Sequence, residues 1–431
     1  MVFSRKPRTA KQKPTKSTSH LTIITELIIP DHFQCPISLH LMKDPVTAPT
    51  GITYDRESIE KWLEMGKSTC PVTNMELTVE DLIPNHSIRR MIQDWCVANQ
   101  SYGIERIPTP RIPISSAEAS EILHNISLAY QSDQDGKRCL ELVGRLKSSE
   151  KESERNRRCL VSNGAPIVLA SAFRMLASQS LKVLTEILEA LVGLLPFNDE
   201  VVLIELGSTS ESLDSIIKIM KQGDVGSKLN AVLMVKKMAA TSKAIADHNN
   251  GFVEPLLEFI REPVSLQATK ASLVATFYLI IDDERIATEF VKMGLIPLLL
   301  EILIESDKSM IEKSLAILDG LCDCDLGREI ACANALTIPV LVKKLFRVSE
   351  MATEFAVSAL WKLCKNCQGK YCLVECLQVG LFQKLLLLLQ VGCGDSAKEK
   401  ATEMLKMMSG CSEKLECIDT ANFKGLNRPS T

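Results

Sequence analysis

Cys35-Pro36-Ile37-Ser38 and Cys70-Pro71-Val72-Thr73 are two copies of one short pattern, and what they lack decides how this chain folds. Each opens like half of a zinc hairpin, in which paired thiolates at positions i and i+3 chelate a tetrahedral cation. In both copies a hydroxyl residue, Ser38 or Thr73, stands where the second thiol belongs, and a neutral hydroxyl is a poor zinc ligand. The only thiols between Pro30 and Gln100 are Cys35, Cys70 and Cys96, so no full ligand set exists there. Loops built on these segments must be held by hydrogen bonds, charge pairs and packing. Lys43, Asp44, Arg56 and Glu57 are the charged candidates.

The residues around the two segments supply short elements. Gly51-Ile52-Thr53-Tyr54 reads as a turn and a short strand. Asp55 is a favourable N-cap for a helix with Ile59, Trp62 and Leu63 on one face, and Gly66 is a natural stop. Asn85 is placed to cap a second helix, in which Ile88, Met91, Ile92 and Trp95 recur at helical spacing.

FQCPISLHLMKDPV (33–46), GITYDRESIEKWL (51–63), TCPVTNMEL (69–77) and LIPNHSIRRMI (82–92) follow one another in register. Together they resemble the U-box, the zinc-free relative of the RING domain that ubiquitin ligases use to hold a ubiquitin-charged conjugating enzyme. The resemblance implies that Ile37, Trp62 and Pro71, with Leu39, form the shallow apolar groove that grips the conjugating enzyme. The alternative is that Ile37 and Trp62 are simply core. Asn74 falls where many such ligases carry a donor, often arginine, that steadies the ubiquitin thioester. An amide there brings no charge, and a turn-forming asparagine is the alternative. A covalent role for Cys70 is disfavoured, because Ser68, Thr69, Pro71 and Val72 offer no base beside it.

Beyond a proline-containing stretch (102–116), the chain is helical in pattern and it repeats. Gly164, Gly207, Gly251, Gly294, Ala335 and Gly380 recur at offsets of 43, 44, 43, 41 and 45 residues. A second series, Leu194, Met238, Leu279, Leu321, Leu363 and Met408, keeps the same register at 44, 41, 42, 42 and 45. Such units cannot bury their apolar faces alone, so neighbours must share a continuous core. The pattern resembles armadillo repeats, six of them after an atypical helical pair that begins near Glu118. The positions one before the second series hold Gly193, Lys237, Tyr278, Gly320, Lys362 and Met407, without the asparagine ladder of importin-type peptide binders. Cys364, Cys367, Cys372 and Cys376 form a cluster with chelating spacing, but Cys364 follows Leu363 as Cys322 follows Leu321, which favours small core residues.

Composition bounds the rest. The 431 residues, 46% apolar and 24% charged, fit a globular chain of two or three domains, and a net charge of -3 gives no drive toward nucleic acid. The 15 cysteines are irregularly spaced, which favours reduced thiols inside a cell. No apolar run is long enough to span a membrane. The basic start (Arg5, Lys6, Arg8, Lys11, Lys13, Lys16) reads as a solvated tail, with a nuclear import signal or a lipid-facing patch as alternatives.

The expected organisation is a basic tail (1–26), a small α+β U-box (27–101), a linker (102–116), a mostly α, armadillo-type solenoid (117–410) and a polar tail (411–431). The whole is similar to the plant U-box/armadillo ubiquitin ligases. That resemblance implies an E3 ubiquitin ligase without cofactor, cytoplasmic or nuclear. Its partners would be a conjugating enzyme, ubiquitin, and a protein substrate recruited by the repeats. A non-catalytic armadillo adaptor with a degenerate U-box is the alternative, and a zinc-dependent finger is a third reading, which predicts bound metal.

Overall fold

The computed structural model describes residues 29–108, 113–132, 136–178, 180–195, 200–241, 249–281, 283–366 and 371–419. The basic tail, the end of the polar tail and Cys367 lie outside them. The chain divides into two units, Met1–Ile112 and Pro113–Thr431.

The first unit is a three-stranded antiparallel sheet with two helices. Its strands are β1 (Pro45–Thr47), β2 (Thr53–Asp55) and β3 (Ile83–Pro84), in the order β2-β1-β3. Val46 pairs with Tyr54 on one side and Pro84 on the other. Helix α1 (Arg56–Glu64) ends where Gly66 takes the left-handed conformation at φ 78°, as its position predicts. Helix α2 (His86–Ala98) is capped by Asn85, whose side chain accepts from the Ile88 amide at 2.9 Å. The inward face of α2 is Ile88, Ile92, Trp95 and Cys96. Met91, expected on that face, is 51% exposed, because the buried stripe turns toward Cys96.

Phe33, Met42, Val46, Tyr54, Ile59, Leu77 and Ile92 make the core of this unit. Ile104 and Ile107, from the stretch read as linker, pack against the same core, and the Arg89 guanidinium donates to the Pro108 carbonyl at 2.6 Å.

The second unit is helical throughout. After the pair Ser116–Ser132 and Lys137–Glu152 come helical triplets, clearest in Glu284–Lys292, Leu295–Glu305 and Lys308–Leu321. The third helices of successive triplets stack on one another. Every residue of the second sequence series is buried, from Leu194 to Met408, so the 41–45-residue period is the period of a shared core. Gly164, Gly294 and Gly380 are all left-handed at the first-to-second helix turn, a conformation that costs a side-chain-bearing residue about 1–2 kcal/mol. The last helix, Asp395–Asp419, runs past Gly410, where the polar tail was expected to begin.

Of the cysteine cluster, Cys364, Cys372 and Cys376 are buried in this core, with Cys364 against Cys376 (Sγ to Sγ 3.6 Å) and Cys372 against Cys332 (3.1 Å). No single described helix is long and apolar enough to cross a membrane; Tyr371–Gln378 and Leu381–Val391 qualify only as a pair bent by 73°.

Candidate functional site

The two Cys-Pro segments fold into loops with the same hydrogen bonds. In the first, the Cys35 amide donates to the His40 carbonyl (2.9 Å) and the Leu39 amide returns to the Cys35 carbonyl (2.8 Å). In the second, the Cys70 amide donates to the Met75 carbonyl (2.7 Å) and the Asn74 amide to the Cys70 carbonyl (2.9 Å). A single antiparallel bridge closes each loop, Gln34 with Leu41 and Thr69 with Glu76.

Hydrogen bonds to sulfur tie both loops to the strands and α1. Cys35 Sγ accepts from the Asp55 amide at 3.3 Å, at the start of α1. Cys70 Sγ lies 3.0 Å from the Tyr54 hydroxyl and 3.6 Å from that of Thr50. Burial lifts the Cys70 thiol, but the hydroxyls of Thr73, Tyr54 and Thr50 and the Thr73 amide outweigh it and bring it down to about 6. Burial, and then the bond to Cys70, push the Tyr54 hydroxyl up. The sequence pointed to no activating partner among the neighbours of Cys70; the partners come from 20 and 16 residues upstream, and from Thr73. The sulfur is nonetheless fully buried, and the hydroxyls around it make it a hydrogen-bond hub for the loop.

Charge braces the first loop on one side. The Arg56 guanidinium binds the Asp44 carboxylate at 2.7 Å and reaches Glu60 at 3.7 Å. Asp55 makes no side-chain bond to its own helix. Its carboxylate instead accepts from the Lys43 and Asp44 amides, at 2.7 and 2.9 Å, and so ties the exit of the loop to the start of α1. Glu57 takes no part in the brace among the described contacts; it pairs with Lys61 one turn on, at an exposed position.

Between the loops stands Trp62. Its indole N–H donates to the Thr69 carbonyl at 2.8 Å, and the Lys67 ammonium lies 3.9 Å from its ring centre. Trp62 and Ile37 are half-buried against the first unit's core. Pro71 is half-buried at the turn of the second loop, while Leu39 and Asn74 are exposed at equivalent places in the two loops. Leu39 is 69% exposed and left-handed at φ 58°, an uncommon state for a bulky residue.

A zinc-free pair of RING-like loops followed by an armadillo-type array defines a U-box/armadillo protein. Residues 29–101 match the U-box domain family, and residues 118–427 match the plant U-box protein ARM repeat region. The chain belongs to the plant U-box/ARM repeat family. It is 40% identical over 413 residues to U-box domain-containing protein 21 of Arabidopsis thaliana, covering 94% of each chain. It is 36% identical over 404 residues to the Arabidopsis thaliana protein named E3 ubiquitin-protein ligase PUB23, covering 91% of this chain and 96% of that one. Among solved structures, an UNC-45 chaperone shares the fold at a TM-score of 0.56 and 14% identity, over 70% of this chain and 36% of its own.

Proposed function

We propose that this chain is an E3 ubiquitin-protein ligase whose first unit docks a ubiquitin-charged conjugating enzyme and whose repeats recruit the substrate. Relatives aligned over nearly the whole chain and named as such ligases support this reading. The observation that carries the mechanism is that the loop cysteines are buried acceptors, while Leu39, Ile37 and Pro71 are left at least partly accessible. That arrangement suits docking and not covalent transfer.

Ile37 and Leu39 present the first loop, Pro71 presents the second, and Trp62 fixes the distance between them by its bond to Thr69. The substrate lysine attacks the conjugating enzyme's thioester directly: its nitrogen bonds to the ubiquitin carbonyl carbon as the thiolate leaves. The ligase contributes orientation. Asn74, exposed and left-handed, offers an uncharged amide to the thioester complex. Its bonds are weaker than those of a guanidinium.

The test is autoubiquitination with activating enzyme, a panel of conjugating enzymes and ubiquitin, comparing wild type with Ile37→Ala and Pro71→Ala. A zinc-selective chelator should leave chain formation intact, and each substitution should reduce it about tenfold or more, as loss of a central apolar anchor does. Folded protein that builds no chains with any conjugating enzyme would instead make this an armadillo adaptor.

A further inference from the structure

The helix Thr337–Lys344 ends in a group of cations that no carboxylate of the described residues pairs with. Lys343 and Lys344 lie in its last turn, and Arg347 follows three residues later. Lys384 reaches across from the next repeat, where its ammonium donates to the Val342 carbonyl. Lys343 and Arg347 are exposed, Lys344 and Lys384 half-buried. Among the described residues, no carboxylate lies within ion-pair distance of any of the four. The Lys344 ammonium is held below its ordinary value by burial and then by the charges of Lys343 and Arg347, and that of Lys384 by burial and then by Arg347. A helix C-terminus supplies only about half a negative charge, which does not balance four cations.

Phe346 lies between Lys344 and Arg347 in the chain. It is 40% exposed and left-handed at φ 65°, with its amide donated to the Thr353 hydroxyl at 3.3 Å. An aromatic residue in that conformation costs about 1–2 kcal/mol, and such strain persists where something else uses it. Two other lysines of this unit are spent on neighbouring carboxylates: Lys147 pairs with Glu189 at 2.6 Å, and Lys362 with Asp319 at 3.0 Å. Here four cations lie close enough to feel one another's charge, and none is paired with a carboxylate among the described residues.

We propose that Lys343, Lys344, Arg347 and Lys384, with the exposed Phe346, form a docking surface for an acidic peptide segment of a partner protein, whose carboxylates meet the cations and whose apolar side chain lies on the phenyl ring. Arg347 supplies a bidentate carboxylate site, and the lysines supply point charges. The compactness of the patch favours a peptide: nucleic-acid binding commonly draws on some six to ten phosphate contacts, and this patch supplies four cations. A bilayer would need more than one projecting ring beside the charges. The inference goes beyond the ligase reading and does not depend on it, since binding can be measured with no conjugating enzyme present.

The experiment is fluorescence anisotropy on the full chain with a labelled peptide of aspartates flanking one tryptophan, and with the same peptide carrying asparagines. The aspartate peptide should bind more weakly as salt rises, and the asparagine peptide should bind at least about tenfold more weakly. The double variant Lys343→Glu/Arg347→Glu changes two exposed side chains and should cost a similar factor. Phe346→Asn relaxes the backbone, so it should melt no lower than wild type and still bind several-fold more weakly. Equal binding of both peptides, no binding, or full affinity in the charge-reversed variant would overturn the proposal. So would binding to phosphatidylserine vesicles that Lys343→Glu/Arg347→Glu abolishes while the peptide is ignored.

Discussion

Leu39 and Asn74 occupy the same place in two loops of one design: each is four residues after a buried cysteine, each donates its amide to that cysteine's carbonyl, and each is left-handed, at φ 58° and 57°. Asparagine tolerates this conformation and leucine does not, so the two positions differ in what they cost the fold. The loop that carries the leucine keeps an exposed apolar side chain at the expense of backbone strain, which is the pattern expected of a contact residue.

Leu39→Asn should therefore raise the melting temperature of the first unit, by the equivalent of about 1 kcal/mol, and lower conjugating-enzyme affinity about tenfold. Asn74→Gly should leave stability within about 0.5 kcal/mol of wild type. Trp62 and Trp95 lie in the first unit and Trp361 in the second, so intrinsic fluorescence in a Trp361→Phe background reports the first unit's unfolding. If Leu39→Asn melts lower than wild type, the strain argument is wrong; if it docks the enzyme unchanged, the contact argument is.

Asp55 supports the first loop through two backbone amides. Asp55→Ala removes the acceptor of two amides, at 2.7 and 2.9 Å, and should destabilise the first unit by about 2 kcal/mol. Glu57→Ala deletes only an exposed pair with Lys61 and should cost about 0.5 kcal/mol or less. Urea midpoints of the two variants in the same background decide it, and equal losses would mean that the carboxylate does not brace the loop.

Much of this architecture was readable from the chain. The missing second thiols pointed to loops held by hydrogen bonds and packing, and the second repeat series, from Leu194 to Met408, named positions that are all buried. The partners of Cys70 were hidden, because Tyr54 and Thr50 meet the sulfur across 16 and 20 residues of chain and no local rule links them. Asp55 stands at the N-cap as its position predicts, but its carboxylate is used elsewhere for a related reason. A carboxylate before a helix is ordinarily a cap, and the competing amides of Lys43 and Asp44 come near only once the strands pair. The left-handed Leu39 and Phe346 run against propensity, so sequence reasoning argues away from the two residues whose geometry is most informative.

Lys362 joins the third helices of two neighbouring repeats, pairing with Asp319 at 3.0 Å and Asp323 at 2.8 Å. Asp319 is buried and Asp323 largely exposed, so the two bonds are unequal. Lys362→Met leaves a buried carboxylate uncompensated and should cost about 3 kcal/mol, whereas Asp323→Ala should cost about 0.5 kcal/mol or less. Pairing Lys362→Met with Asp319→Leu should recover most of the loss. A double-mutant cycle by thermal unfolding measures the coupling, and additive losses would show that Asp319 gains nothing from the lysine.

Cys70 gives the first unit a dependence on pH whose direction is fixed by its hydrogen bonds. Its thiol ionises near 6 in the folded chain and near the ordinary value of about 8.5 in the unfolded one. Between those values the unfolded state binds more protons, so stability rises with pH; the contribution is complete above the unfolded value and is lost as pH falls through 6. The informative quantity is the difference in urea midpoint between wild type and Cys70→Ala, followed from about pH 5.5 to about pH 9, roughly half a unit beyond each end of the window. That difference should widen as pH rises. Tyr54→Phe removes one donor to the sulfur and should shrink the widening without abolishing it. A difference that stays constant across the range would mean that the buried sulfur remains a thiol and that the hydroxyls around it act only as neutral hydrogen-bond partners.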